Sequence, residues 1–360
     1  MDSEQILNTF SDTYTEARNK FYSKALSMGQ MVSYEHPAKG PTNEKLYTDV
    51  LTLGCENPKK MIIVCSGTHG IEGFCGSGCQ TNWLQEDGQQ SLPEHYGMLF
   101  IHALNPYGFA WYRRTDEKNI DVNRNFVDHS KSYPENIDYD EIARYLVPEQ
   151  WEGLMRESAD QKLVDYRLKH SLLEYKMAVA TGQYNHPDGL FFGGRQKSWS
   201  FNTLETIMNT LPESVEEMVF LDIHTGLGKN GIAQILCSLD PGNIERLKKL
   251  FKGRIDSKDE TIVTPEKNYR ATGNISRWIL SNFQNKVVTF ATVEFGTIGF
   301  EIVLQTLRAE AWSHKRVLST ALRQKVTNNI KQAFYPREPE WLFSVWKEAK
   351  EVINDAIDNL

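Results

Sequence analysis

The sequence lacks any apolar run near the roughly 20 residues that a membrane-spanning helix needs, so a helical integral membrane protein is not expected. It also lacks an excess of basic residues. Forty Lys and Arg against 47 Asp and Glu leave a net charge of -7, the wrong sign for gripping nucleic-acid phosphates. Cysteine is scarce, five in 360 residues with no paired spacing, and no disulfide framework follows from it. The opening MDSEQILNTF carries acids where a secretory leader needs a basic start and an apolar core. Neither H-E-x-x-H nor C-x-x-C occurs, which removes the helical zincin and the zinc ribbon. No repeat, low-complexity tract or Gly/Ser/Pro-rich linker divides the chain. The expectation is a reduced, cytoplasmic, soluble protein, long enough to bury a core and hold a pre-organised site, with its oligomeric state open.

Four segments share one pattern: a short apolar run that stops at chemically capable residues. MIIVCSG (61–67) runs into Thr68, His69 and Glu72; MLFIHAL (98–104) into Asn105 and Pro106. VFLDIHTG (219–226) ends around His224, and VVTFATVEFG (287–296) around Glu294. Continuous apolar runs bounded by Gly or Pro fit parallel strands covered on both faces, and ligand crevices lie beyond the carboxyl ends of such strands. LYTDVLTLG (46–54) alternates like a half-buried strand, and a loop is expected around Pro37, Gly40 and Pro41. The three- and four-residue recurrence of Ile6, Phe10, Tyr14, Ala17 and Phe21 predicts one helix from Ser3 to about Met28. Residues 138–182 read as a helical insertion divided or begun at Pro148, followed by an aromatic loop (182–194), and 341–360 as an amphipathic helix packed on the body. The whole chain, 1–360, is expected to be one α/β domain with a mixed, largely parallel central sheet flanked by helices.

His69 and Glu72 form an H-x-x-E pair wrapped in Gly67, Gly70 and Gly73, which let the chain turn both side chains toward one point. A catalytic zinc takes three N/O ligands and keeps one open position, and His224 would complete a His₂Glu set. Asp222, two residues earlier on the same strand face, either takes the far N–H of His224 or bonds to backbone. NPYGFAWYRRTDEKNIDVNRNF (105–126) brings Arg113, Arg114 and Arg124, planar donors suited to a carboxylate or a developing oxyanion, next to a strand end. Cys65, Cys75 and Cys79 read as packed thiols and His102 as a core histidine. Tyr184, His186 and Phe191 either line the pocket or staple the insertion to the sheet.

In this order, HGIEG, NPYG, Arg114, DVNRNF, DIHTG and VEFGT resemble the carboxypeptidase A-like zinc hydrolases. The likeness is closer to a branch of that superfamily marked by SGTHGIEGFCGS, RRTDEKNIDVNRNF, GLFFGG and DIHTGLG. The resemblance implies one Zn²⁺ held by His69, Glu72 and His224, with Glu294 as the general base for water. It implies Arg114 as oxyanion stabiliser, with Arg113 the alternative if the register slips. Asn123 and Arg124 would hold the substrate's terminal carboxylate, Asp121 would support His69, and Tyr269 is the nearest match to a substrate-covering tyrosine. The 138–182 insertion makes the step from Glu72 to His224, 152 residues, longer than a minimal member needs, so the shape of the substrate funnel and its specificity do not follow from the resemblance.

A metallocarboxypeptidase-type hydrolase acting on a C-terminal peptide or peptide-like amide is the leading expectation. A deacylase of small N-acyl amino acids, aspartoacylase-like, is the alternative on the same residues. A metal-free binding protein on the same fold is the alternative of a different class.

Overall fold

The apolar runs become strands, and their residues divide between two faces as the pleat requires. A computed structural model describes residues 3–86, 92–236, 240–252, 254, 271–314 and 316–360. The chain begins with helices α1 (Ser3–Thr9) and α2 (Tyr14–Ala25), then strands β1 (Gln30–Lys39), β2 (Lys45–Gly54) and β3 (Lys60–Ser66). Helix α3 (Gly73–Gln85), β4 (Tyr96–His102) and the short α4 (Pro106–Ala110) follow. The middle of the chain is helical: α5 (Ile137–Leu146), α6 (Leu154–Lys169), α7 (Leu172–Ala180) and α8 (Trp199–Asn209). Then come β5 (Glu217–Asn230), β6 (Ala233–Leu236), α9 (Pro241–Leu250), α10 (Ile275–Asn282) and β7 (Val287–Gly296). Helices α11 (Phe300–His314), α12 (Thr320–Phe334) and α13 (Pro339–Asn359) close it.

The strands form one seven-stranded sheet in the order β1-β2-β4-β3-β5-β7-β6. Its four central strands, β4, β3, β5 and β7, run parallel, while β1, β2 and β6 are antiparallel to their neighbours. This is the mixed, largely parallel sheet expected from the sequence. On β3, Ile62 and Val64 join a core with Phe74, Trp83 and the buried stripe of α13, whereas Met61, Ile63 and Cys65 face Phe201, Phe220 and Phe290. Each such buried side chain contributes about 1.5–3 kcal/mol of transfer free energy. Both faces of the sheet are therefore covered, α3 and α13 on one side, α8 and α10 on the other.

Two local readings need correction. The N-terminal helix is two helices, because Thr13 caps α2 by accepting a hydrogen bond from the Glu16 N–H and stops the first helix short. Pro37 lies within edge strand β1, beside a register irregularity between His36 and Lys39, where a missing N–H is tolerated. The loop is confined to the turn in which Gly40 N–H meets Glu44 O. The four-residue β6 carried too little pattern to be read at all.

The 138–182 region is helical, with Pro148 between α5 and α6. Arg308 of α11 clamps it to the body by donating to the carbonyls of Tyr145 and Leu146, each at 2.8 Å. Helix α13 buries Trp341, Leu342, Val345, Trp346, Ala349, Val352, Ile353, Ala356 and Ile357, the three- and four-residue stripe expected of it. No described helix is long and apolar enough to cross a membrane.

Candidate metal centre

The four parallel strands end on one edge, and three of them deliver the candidate ligands and base there. His69 follows β3 and precedes the 3-10 turn Gly70–Glu72 that carries Glu72 into α3. A Cβ at Gly70 would lie 2.0 Å from the Gly108 carbonyl carbon, so this turn can pack on α4 only because residue 70 is glycine. Asn105 caps that helix, its Oδ1 accepting the Gly108 N–H at 2.9 Å. His224 sits on β5 and Glu294 on β7, directly paired in the parallel register.

Ligand atoms of His69, Glu72 and His224 lie within 4.8 Å of one another, and all three residues are buried. Nδ1 of His69 is 3.2 Å from Nδ1 of His224, and the Glu72 carboxylate is 2.9 Å from the first and 3.0 Å from the second. Two donors held at about 2.0–2.1 Å by a tetrahedral ion stand about 3.4 Å apart, so the spacing matches one small cation. The proton inventory points the same way. His224 gives its Nε2–H to Asp222 Oδ2 at 2.7 Å, which leaves the Nδ1 lone pair facing a carboxylate. Lone pairs at hydrogen-bond distance repel unless a proton or a cation lies between them, and the residues present fit a divalent metal.

The supporting groups explain the electrostatics. Asp222 also accepts the Thr68 hydroxyl at 2.7 Å, so the open choice at Asp222 resolves to a histidine partner. Burial would lower the His224 pKa, but Asp222, by charge and hydrogen bond, drives it well above its usual value. Burial likewise works against an ionised Glu72, yet the charge of His69 and a proton on His224 Nδ1, standing where a cation would, hold its carboxyl below the usual range. The Thr225 N–H adds a bond to Glu72 Oε2 at 3.0 Å. Asp121 is held well down too: Arg114 and His69 outweigh its burial. Glu294 behaves oppositely. Burial first, and then the nearby Glu72 charge, push it up to about 7, and its Oε1 accepts the Leu227 N–H at 2.9 Å. A carboxyl poised near neutrality beside a cation site suits proton transfer.

The two neighbouring arginines part company. Arg114 turns to the centre, with Nη2 2.8 Å from His69 Nε2, Nη1 3.3 Å from Glu72 Oε1 and Nε 2.9 Å from Asp121 Oδ2. Arg113 turns away, to Glu310 of α11 and to Asn119 Oδ1 at 2.9 Å. Asp121 is 3.2 Å from His69 Nε2. Arg124 is buried, donating Nε and Nη2 to the Ala180 carbonyl and Nη1 to that of Asn123. The Asn123 side chain accepts the Ile275 N–H at 3.0 Å. Tyr269 lies outside the described residues.

The aromatic loop is tied in at the same place. The Tyr184 hydroxyl donates to the Arg124 carbonyl at 2.7 Å, and the Phe191 ring lies 5.0 Å from the Arg114 guanidinium carbon and 5.6 Å from that of Arg124. His186 instead pairs with Asp140 on α5, at 2.7 Å. A Cβ on Gly193 of GLFFGG or on Gly273 would strike the Arg124 carbonyl oxygen at 2.6 or 2.1 Å, which gives both glycines a packing reason. Phe191 is the contact that residue pattern alone understated; its flanking glycines were the available signal. Cys65, Cys75 and Cys79 are buried, with burial raising the thiols of Cys65 and Cys75. His102 is buried against Phe21 and 2.8 Å from the Ser77 hydroxyl, its pKa lowered by burial to about 4.

Among solved structures, the chain is similar to carboxypeptidase A from Helicoverpa armigera, at 12% identity and a TM-score of 0.46, over 91% of this chain and 75% of that one. It is similar to a metallo-carboxypeptidase from Burkholderia cenocepacia at 11% identity and a TM-score of 0.43, over 94% and 68%. The ectoine utilization protein EutE (DoeB) from Ruegeria pomeroyi matches at 11% identity and a TM-score of 0.37, over 84% and 67%. No curated protein matches the chain. A family model matches residues 10–348, nearly the full length, and the chain belongs to that family, described as a protein of unknown function (DUF2817).

Proposed function

We propose that this chain is a zinc-dependent hydrolase that cleaves a C-terminal peptide bond or a peptide-like amide. One arrangement carries the reading: lone pairs of His69, Glu72 and His224 converge on one point, with Glu294 paired to His224 across the β5–β7 register. His69, Glu72 and His224 would hold the ion. Bound zinc supplies Lewis acidity, which polarises a carbonyl and acidifies water.

The chain's own groups do the rest. Glu294, with a pKa about 7, takes a proton from the attacking water and returns it to the leaving nitrogen. Arg114 sets its positive charge against the ligand trio, where it balances the charge that develops on the attacked oxygen. Arg124 is assigned the substrate's carboxylate, and Asn123 braces the chain beside it through the Ile275 N–H. Asp121 and Asp222 orient the two histidines.

A deacylase of small N-acyl amino acids is the second reading. The same trio and the same Glu294 serve that chemistry. The test is metal analysis of the purified protein together with assays on C-terminal peptide libraries beside N-acyl amino acids. One zinc per chain and chelator-sensitive release from peptides are expected. Release from N-acyl amino acids alone would move the reading to the deacylase. Metal that cannot be restored, with activity unchanged in Glu294→Gln, would leave a binding protein.

A further inference from the structure

Arg113 and Arg114 are consecutive, and the backbone they share touches the turn that carries two candidate ligands. The Ile71 N–H donates to the Arg113 carbonyl at 2.8 Å, and the Gly70 N–H to the Arg114 carbonyl at 3.2 Å. Gly70 and Ile71 are the residues between His69 and Glu72. The same short segment also carries the Arg114 side chain, which reaches His69 Nε2 at 2.8 Å. Whatever fixes this segment fixes the turn and the Arg114 guanidinium together.

The Arg113 side chain is that anchor. It is buried and makes four hydrogen bonds: Nε to the Glu310 carboxylate, Nη1 to the Asp116 carbonyl at 3.1 Å and to His314 Nε2 at 2.9 Å, and Nη2 to Asn119 Oδ1 at 2.9 Å. Asn119 is tied down in turn, its Nδ2 donating to the carbonyls of Pro187 and Gly189, each at 3.0 Å. Glu310 and His314 belong to α11, which supplies none of the three candidate ligands. A buried ion pair adds little stability over apolar packing of the same volume, but the planar fork accepts only a narrow geometry. The segment needs such a restraint. Tyr112, directly before Arg113, has a backbone φ of +55°, which a bulky residue keeps only where its surroundings enforce it.

We propose that Arg113 is a positioning residue: tied to Glu310 of α11, it holds the 113–114 backbone so that Arg114 meets the attacked oxygen and the turn presents His69 and Glu72. The part played through Arg114 rests on the hydrolase reading; the part played through the turn does not.

Arg113→Lys keeps a charge beside Glu310 but loses the fork. Arg113→Met/Glu310→Met removes both charges and strands neither, and is the companion should the first lose structure by circular dichroism. Both are assayed as zinc-loaded full chains on whichever peptide or N-acyl amino acid the wild type cleaves fastest. Outright loss of an oxyanion donor costs about 10²–10³ in rate, so a displaced Arg114 should cost at least about tenfold in kcat, with KM within about threefold of wild type. In an Arg114→Ala background the same substitutions should cost less than about twofold, because the group they misplace is gone. Zinc affinity by chelator competition should fall at least about fivefold in both backgrounds, since that effect runs through the Gly70 and Ile71 N–H groups. A merely structural Arg113 would lower the thermal midpoint and leave kcat and zinc affinity at wild-type values. A kcat loss of equal size with and without Arg114 would likewise overturn the proposal.

The zinc measurement separates this outcome from failure of the hydrolase reading. No turnover of any substrate by the wild type, with the fall in zinc affinity present, would sink the hydrolase and keep Arg113 as the anchor of the turn. Zinc affinity equal to the wild type's in both variants would sink the anchor whatever the turnover.

Discussion

His224 and Glu294 are direct partners in the parallel pairing of β5 with β7. Paired residues on adjacent strands point to the same face and lie about 4.8 Å apart at the backbone, so the sheet itself sets a candidate ligand beside a candidate base. No loop has to close to bring them together.

Glu294→Gln tests that relationship. The amide oxygen still accepts the Leu227 N–H, so the site keeps its shape, but the base is gone. Turnover should fall by about 10²–10⁴ with zinc content by elemental analysis unchanged. The pH profile carries a sign. A base with a pKa of about 7 must be ionised to act, so kcat/KM should rise as pH increases through its pKa and then level off. A cation at the trio favours the ionised form, so zinc loading should move the midpoint below 7. A wild-type profile flat from pH 5 to 8 would remove Glu294 from the base role.

Asp222 is expected to set metal affinity rather than fold. Asp222→Asn cannot offer His224 Nε2–H a charged acceptor, and zinc affinity by chelator competition should drop about 10–100-fold. The thermal midpoint of the zinc-free protein should move by only a few degrees. Unchanged affinity would show that His224 is oriented by other contacts.

Asp116 offers a prediction independent of catalysis. Its carboxyl is buried, Oδ2 has no partner among the described residues, and burial followed by the Glu117 charge raises its pKa to about 7. The unfolded chain releases this proton near pH 3.8 and the folded chain only near 7, so stability falls as pH rises between those values and is level beyond. Asp116→Asn keeps an oxygen for the N–H groups of Lys118 and Ile120 and removes the titration. Urea unfolding at pH 8 should show a gain of about 2–4 kcal/mol over the wild type, and at pH 4 almost none. A gain of the same size at both pH values would refute the titration account.

Gly70→Ala should damage the centre from below. The added carbon would meet the Gly108 backbone of α4 at 2.0 Å, and both the turn and α4 are held by backbone hydrogen bonds. A loss of about 2–4 kcal/mol in unfolding free energy is expected, together with weaker zinc binding, because the turn that carries Glu72 must shift. A melting temperature equal to the wild type's would mean that the turn separates freely from α4.

Much of the site was legible because its chemistry is local. His69 and Glu72 are three residues apart beside glycines, Asp222 and His224 share one strand face, and both pairs meet as their spacing suggested. Glu294 was readable as a polar end to an apolar strand. Less legible were features that depend on distant partners. Arg113 and Arg124 look alike in sequence, yet Glu310, 197 residues away, captures the first, and the Ala180 carbonyl, 56 residues away, takes the second. Strand β1 hid behind Pro37, because only its position at the sheet edge excuses the missing N–H.

What the sequence lacked determined little by itself: neither the scarcity of cysteine nor the acidic balance says where a cation would sit. Its apolar runs and their polar endings determined the parallel strands and the roster of residues at one sheet edge, since strand periodicity and burial are written residue by residue. The choice among those residues belonged to the tertiary structure. Pairing register set Glu294 beside His224, and glycine-lined turns let backbones touch where side chains could not. The closeness of Phe191 to two arginines arose from contacts across 60 residues and more, which no local pattern encodes.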